Sequence, residues 1–176
     1  MKLKMAPRIL LSCLALAMIP SANAATATGT FQVLITILKS CSVTAGASSN
    51  INLGSVNAGA TAAAGNSTIS VDCSRTTPYY IGLAPSSTNG GTTTGSGSMS
   101  SVANSTTNTD KVPYQLNQTS ATGAVWGNTA TSTNVGNGVA GTGTGAAQTY
   151  TVYATATSTN FAPDSYADTV TVNVNY

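Results

Sequence analysis

Asp72, Asp110, Asp164 and Asp168 are the whole acidic inventory of this 176-residue sequence, which has no glutamate and no histidine. Histidine-based acid/base and triad chemistry is therefore excluded. A pair of carboxylates could still act, and Asp164 and Asp168 lie close together on either side of Tyr166. Asp168 reads better as a turn residue, or one leading into a strand, than as a catalytic group. No glycine-rich stretch carries the lysine of a phosphate cradle, and Gly141-Thr142-Gly143-Thr144-Gly145 is loop composition only. No catalytic, cofactor-binding or metal-ligating residue is assigned, and the chain is not read as an enzyme.

The three cysteines depend on what happens at the N-terminus. Lys2, Lys4 and Arg8 form a positive region, and Ile9 to Ile19 form an apolar run. Pro20 and Ser21 break it, and Ala22-Asn23-Ala24 is an A-x-A site. This is the pattern of a secretory signal peptide cleaved after Ala24. The run is too short to span a bilayer, which takes about 20 apolar residues. Cleavage removes Cys13 and leaves Cys41 and Cys73 as an even pair in an oxidising compartment, which predicts one disulfide. It also leaves Lys39, Arg75 and Lys111 against four aspartates, so the formal net charge becomes 3 − 4 = −1. A nucleic-acid partner has no basic surface to use.

The elements that must carry these residues read as strands. Thr, Ser, Asn, Gly and Ala dominate the exported part, which favours strands and turns over helices. Val170, Val172, Val174 and Tyr176 alternate with Thr169, Thr171, Asn173 and Asn175, the period of a half-buried strand. The same alternation places Ile69, Val71 and Cys73 on one face, then Tyr79, Ile81 and Leu83, then Tyr150, Val152, Ala154 and Ala156. Ile51 and Leu53 suggest a short strand. Val112, Tyr114 and Leu116 alternate around Pro113, which predicts an edge strand or a bulge. Six or seven short strands with Gly-rich turns predict a β-sandwich of one domain. Residues 86–110 and 127–148 are low in complexity, and they fit either linkers or polar hairpins of that domain.

Thr30 to Leu38 is unusual. Phe31, Val33, Ile35 and Ile37 form one alternating row, while Phe31, Leu34, Ile35 and Leu38 would share a helical stripe. The β-branched residues tip the reading to a strand. So apolar a strand must be buried, either in its own domain or in a different molecule.

The order of features resembles the spore coat protein U domain family, which includes pilins of archaic chaperone–usher pili of the Csu type. The resemblance rests on the apolar strand, Cys41, Leu53-Gly54, Ser67 to Ser74 with Cys73, Pro78 to Leu83, Val112 to Leu116, Trp126-Gly127, Tyr150 to Tyr153 and Tyr166 to Val172, ending on Tyr176. It implies an incomplete immunoglobulin-like sandwich of pilin type. A periplasmic chaperone would fill the gap first, and the N-terminal strand of the next subunit would then replace it. An outer-membrane usher and copies of the chain itself, or related pilins, are the implied partners. Phe31, Val33, Ile35 and Ile37 are the candidate donor strand, and Val170, Val172, Val174 and Tyr176 the candidate acceptor side. The expected organisation is a signal over residues 1–24, a donor extension over 25–38 and the sandwich over 39–176. A surface-exposed shaft pilin with a role in adhesion or biofilm formation is the expected function. The alternatives are a minor surface-binding adhesin subunit and a self-contained secreted or coat sandwich.

Overall fold

A computed structural model describes residues 24–176; the expected signal over 1–24 lies outside the described residues except for Ala24. The chain divides into two compact units at Thr36 and Ile37. In the first, the described residues 24–36 form neither helix nor strand, and their side chains are exposed. Neither the strand expected for Thr30 to Leu38 nor its helical alternative is formed in the isolated chain, where no partner backbone pairs with the segment.

The second unit is all-β apart from two single 3-10 turns, at Ala47–Ser49 and Ser87–Asn89. Its nine strands are β1 (Cys41–Thr44), β2 (Ala63–Cys73), β3 (Pro78–Pro85), β4 (Ser96–Ser101), β5 (Lys111–Asn117), β6 (Val139–Thr142), β7 (Gln148–Ala156), β8 (Tyr166–Ala167) and β9 (Val170–Asn175). They form two antiparallel sheets, ordered β1-β2-β7-β5-β4-β8 and β6-β3-β9. Sequence-distant neighbours such as β2 and β7 make this a sandwich of crossed connections rather than a meander.

Alternation in the sequence becomes alternation in burial. Ile69, Val71 and Cys73 of β2 turn inward, as do Val152, Ala154 and Ala156 of β7. Tyr79, Ile81 and Leu83 of β3 meet them from the other sheet, with Trp126 fully buried between. The Trp126 indole N–H donates to the Ile81 carbonyl at 2.9 Å, which satisfies a buried donor that would otherwise be costly. The Tyr79 and Tyr150 rings meet edge to face at 6.4 Å, and their hydroxyls are 2.6 Å apart.

Two expectations are corrected and one open alternative is decided. Ile51 and Leu53 form no strand; they lie in an irregular strap whose side chains pack against the core. β5 is an interior strand, not an edge, yet Pro113 is accommodated. It pairs with Ser98 of β4, while pairing with β7 begins only at Gln115, so the missing donor falls where the ladder is open. Of the two readings left open for the low-complexity stretches, the structure takes the one that keeps them in the domain: each contributes a strand, β4 and β6.

Cys41 and Cys73 are joined in a disulfide, facing each other as the first pair of the β1–β2 ladder with Cα atoms 4.1 Å apart. Ser40 extends this anchor. Its carbonyl accepts from the Ser74 N–H at 2.9 Å, and its own N–H donates to Ser74 Oγ at 3.1 Å.

Candidate functional site: an open groove between the sheets

Both β1 and β9 are edge strands, and β9 pairs with β3 on one side only. The sandwich is consequently not closed along this side. A cavity of about 490 Å³ opens there. Its floor is apolar: Ile69, Leu116, Val152 and Ala154 come from the larger sheet, and Val170 and Val172 from β9. Ile51 and Leu53 of the strap form part of the rim. A second cavity of about 480 Å³ shares Ile51, Leu53, Met99 and Tyr166 with the first and continues past Ala63, Val112 and Phe161. Open apolar surface beside an unpaired backbone edge has the two features that strand addition uses: free backbone groups for hydrogen bonds and a floor for alternate side chains.

Of the four candidate acceptor residues, Val170 and Val172 line the groove. Val174 packs against the core outside that lining, and Tyr176 lies past the end of β9 and is 46% exposed. The candidate donor row is open to solvent in the isolated chain: Phe31 is 88% exposed, Val33 87%, Ile35 85% and Ile37 82%.

The polar groups of the site sit where the groove meets the β8–β9 connection. Asp168 accepts from the Asn89 side-chain amide at 2.8 Å and from the Tyr114 hydroxyl at 2.7 Å. Burial, and then the bond to Asp168, push the Tyr114 phenol well above its ordinary range. Lys111 Nζ donates to Asn89 Oδ1 at 2.9 Å and to Ser100 Oγ. Asp164 accepts from Ser101 Oγ at 2.6 Å and from the Asn108 amide at 2.9 Å. These two bonds, the Ser101 one foremost, hold its carboxyl down to about 2. Each aspartate is thus held by its own partners as a brace of the groove wall. A single brace, Asp168, ties the β8–β9 connection to β5 and to the 3-10 turn at Ser87–Asn89. Sequence reasoning placed Asp168 at a turn but missed Asn89 and Tyr114 as its partners. Only their hydrogen-bonding types hint at that role.

Among the described residues no helix is long and apolar enough to cross a membrane, and no group of three His, Cys, Asp or Glu is placed to hold a metal ion.

The model of the Spore Coat Protein U domain family matches residues 27–173, from ahead of the apolar row to within β9. The chain belongs to the Spore Coat Protein U domain family. The groove-lining residues and the disulfide lie inside the matched span, which ends at Asn173, within β9 and before Val174. Among solved structures it is similar to the CsuC–CsuE chaperone–tip adhesion subunit pre-assembly complex from archaic chaperone–usher Csu pili of Acinetobacter baumannii. The identity is 24%, the TM-score 0.48, and the match covers 80% of this chain and 40% of that one. No curated protein matches the chain.

Proposed function

We propose that this Spore Coat Protein U domain protein is a structural subunit of a surface pilus, joined to its neighbours by strand donation. The observation that carries this reading is a pair of unmet requirements in one chain: an apolar groove beside the free edge of β9, and an exposed apolar row at Phe31, Val33, Ile35 and Ile37. Each is costly alone, and each satisfies the other when the row of one copy lies in the groove of the next. Burying four such side chains contributes roughly 6–12 kcal/mol before ordering costs. The contact is head to tail and does not close, so it builds a fibre.

The proposed organisation follows. Residues 1–24 are an export signal cut after Ala24, residues 25–38 are the donor extension, and residues 39–176 are the acceptor sandwich. A periplasmic chaperone holds the groove until assembly, and an outer-membrane usher carries the growing fibre to the cell surface. The exposure of the Phe31 row supports strand donation over a self-contained sandwich, which would need that row buried.

Deleting residues 25–38 tests the reading. The full chain, expressed with a chaperone and usher, should form polymer resistant to dissociation. The truncated chain should still bind the chaperone but form none. Polymer from the truncated chain, or a full chain that purifies as a stable monomer without chaperone, would overturn it.

A further inference from the structure

Asn89, Ser100, Lys111 and Asp168 come from separate parts of the sandwich, and the fold joins their polar atoms in one run of contacts. Asn89 ends the 3-10 turn after β3, Ser100 lies in β4, Lys111 opens β5 and Asp168 lies between β8 and β9. The register of β4 sets this up, because Ser100 pairs with Lys111 on one side and with Ala167 on the other. Lys111 Nζ donates to Asn89 Oδ1 at 2.9 Å and to Ser100 Oγ, and Ser100 Oγ donates to the same Oδ1 at 2.5 Å. At the other end of the amide, Asn89 Nδ2 donates to Asp168 Oδ1 at 2.8 Å, while the Tyr114 hydroxyl holds Asp168 Oδ2 at 2.7 Å. Two donors on Oδ1 and an acceptor on Nδ2 give the amide one orientation.

These are the parts of an acyl-transfer site, with both reactants supplied by the chain. A C=O bond is about 1.23 Å long, so Nζ lies at most about 4.1 Å from Asn89 Cγ. That is near the separation of roughly 3–3.5 Å from which reacting atoms meet. The Ser100 hydroxyl already points at the oxygen on which negative charge would develop. Asp168 stands at the nitrogen that would leave. Lys111 is exposed, so its ammonium can give a proton to solvent and attack as the amine.

We propose that Lys111 and Asn89 join in an autocatalytic side-chain amide bond, with Asp168 as the proton carrier. Nζ bonds to Cγ, and the carbonyl electron pair moves onto Oδ1, where Ser100 meets it. Nζ and Nδ2 then sit on the same carbon, so the carboxylate bonded to Nδ2 is beside Nζ as well. Asp168 takes one proton from Nζ and delivers it to Nδ2. The carbonyl re-forms, the Cγ–Nδ2 bond breaks and ammonia leaves. Nothing is oxidised or reduced, and no cofactor takes part. Asn89 is followed by Gly90, whose backbone nitrogen could close on the same carbon, but here the Gly90 N–H is committed to the Ser87 carbonyl at 3.1 Å.

The new bond links the turn after β3, a strand of the smaller sheet, to β5 of the larger one, across 22 positions. Cys41–Cys73 joins two strands of the larger sheet. The two covalent ties therefore secure different parts of the sandwich. The reaction needs no second copy, so it does not depend on strand donation.

Intact mass and peptide mapping of the full chain, co-expressed with a chaperone, exported and then denatured, test the proposal. The wild-type chain should weigh about 17 Da, one ammonia, less than its exported sequence with the disulfide closed. After reduction, trypsin should fail to cut beyond Lys111 and should release residues 76–176 as a single peptide lacking the same mass. Lys111→Arg should show the full mass and be cut after residue 111. Asp168→Asn, followed from freshly exported chain, should form the link at least tenfold more slowly. Both wild-type readouts stand whether or not the variants fold. Full mass in the wild type overturns the proposal, and so does an ammonia loss with Lys111 still cut by trypsin, which is the mark of closure by Gly90. Asp168→Asn chains that link as fast as wild type overturn the role given to Asp168.

Discussion

Removing the Cys41–Cys73 disulfide is expected to cost far more than the exposed little strand it anchors would suggest. β1 is four residues long, and only Cys41 among them is even partly buried. Its apolar contribution to the sandwich is therefore small, and the ladder to β2 has four residue pairs. The covalent link closes a loop whose ends are 32 positions apart. Chain-entropy reasoning for such a loop gives about 3.7 kcal/mol. That is a quarter to a half or more of the whole stability of an ordinary domain. Cys41→Ser is the cleaner perturbation, because Cys73 is 1% exposed and tolerates being left as a small apolar thiol. At about 2–4 °C per kcal/mol for a chain this size, the melting midpoint should fall by roughly 7–15 °C. The assay is thermal unfolding by circular dichroism of the chaperone-bound chain, wild type and variant at one fixed concentration, with secreted yield measured in parallel. A midpoint within about 2 °C of wild type, with unchanged yield, would refute the reasoning.

Further outcomes follow from single contacts. Trp126→Phe removes the indole donor from the buried Ile81 carbonyl and leaves a smaller ring in the core; a loss of about 2–4 kcal/mol is expected in urea unfolding. Gly141→Ala places a methyl 2.4 Å from a Tyr79 ring carbon and 2.5 Å from the Tyr150 hydroxyl, so about 1–3 kcal/mol should be lost and the edge-to-face pair displaced, read by near-ultraviolet dichroism. For Asp164, the folded carboxyl titrates near 2 and its ordinary value is 3.8. A depressed folded pKa contributes stability above the ordinary value that is lost as pH falls toward the folded one. Stability should therefore drop between about pH 4 and pH 2, and Asp164→Asn should flatten that part of the pH profile relative to wild type.

The strands that can be read in advance are those whose apolar residues are large. β2, β3, β7 and β9 announce themselves because Ile69, Val71, Ile81, Leu83, Val152 and Val172 recur at every second position, and in β2 and β7 burial follows the alternation. β4 does not, since Ser-Gly-Ser-Met-Ser-Ser holds almost nothing to bury. It exists because Gly97 lets Tyr114 and Pro85 approach where a Cβ would lie 2.6 and 2.7 Å from them, a requirement set by neighbours far away in sequence. Ile51 and Leu53 alternate like a strand, yet they lie in a strap that pairs with nothing there, because alternation reports which side is buried and not whether a partner backbone is present. Half of the site was legible for the same reason. The Phe31 row and Val170 and Val172 are visible as apolar periodicity. The braces at Asp168, Asn89 and Tyr114 join residues from three parts of the chain by hydrogen bonds that leave no periodic trace.

The central claim is that the exposed row of one copy becomes a strand in the groove of the next, and amide hydrogen exchange reads that event directly. Exchange should be measured by mass spectrometry on the chaperone-released chain and on assembled fibres. The account predicts that amides of residues 31–37 exchange freely in the isolated chain and become strongly protected in the fibre, together with those of 170–174 along β9. Fibres in which residues 31–37 stay unprotected would contradict it.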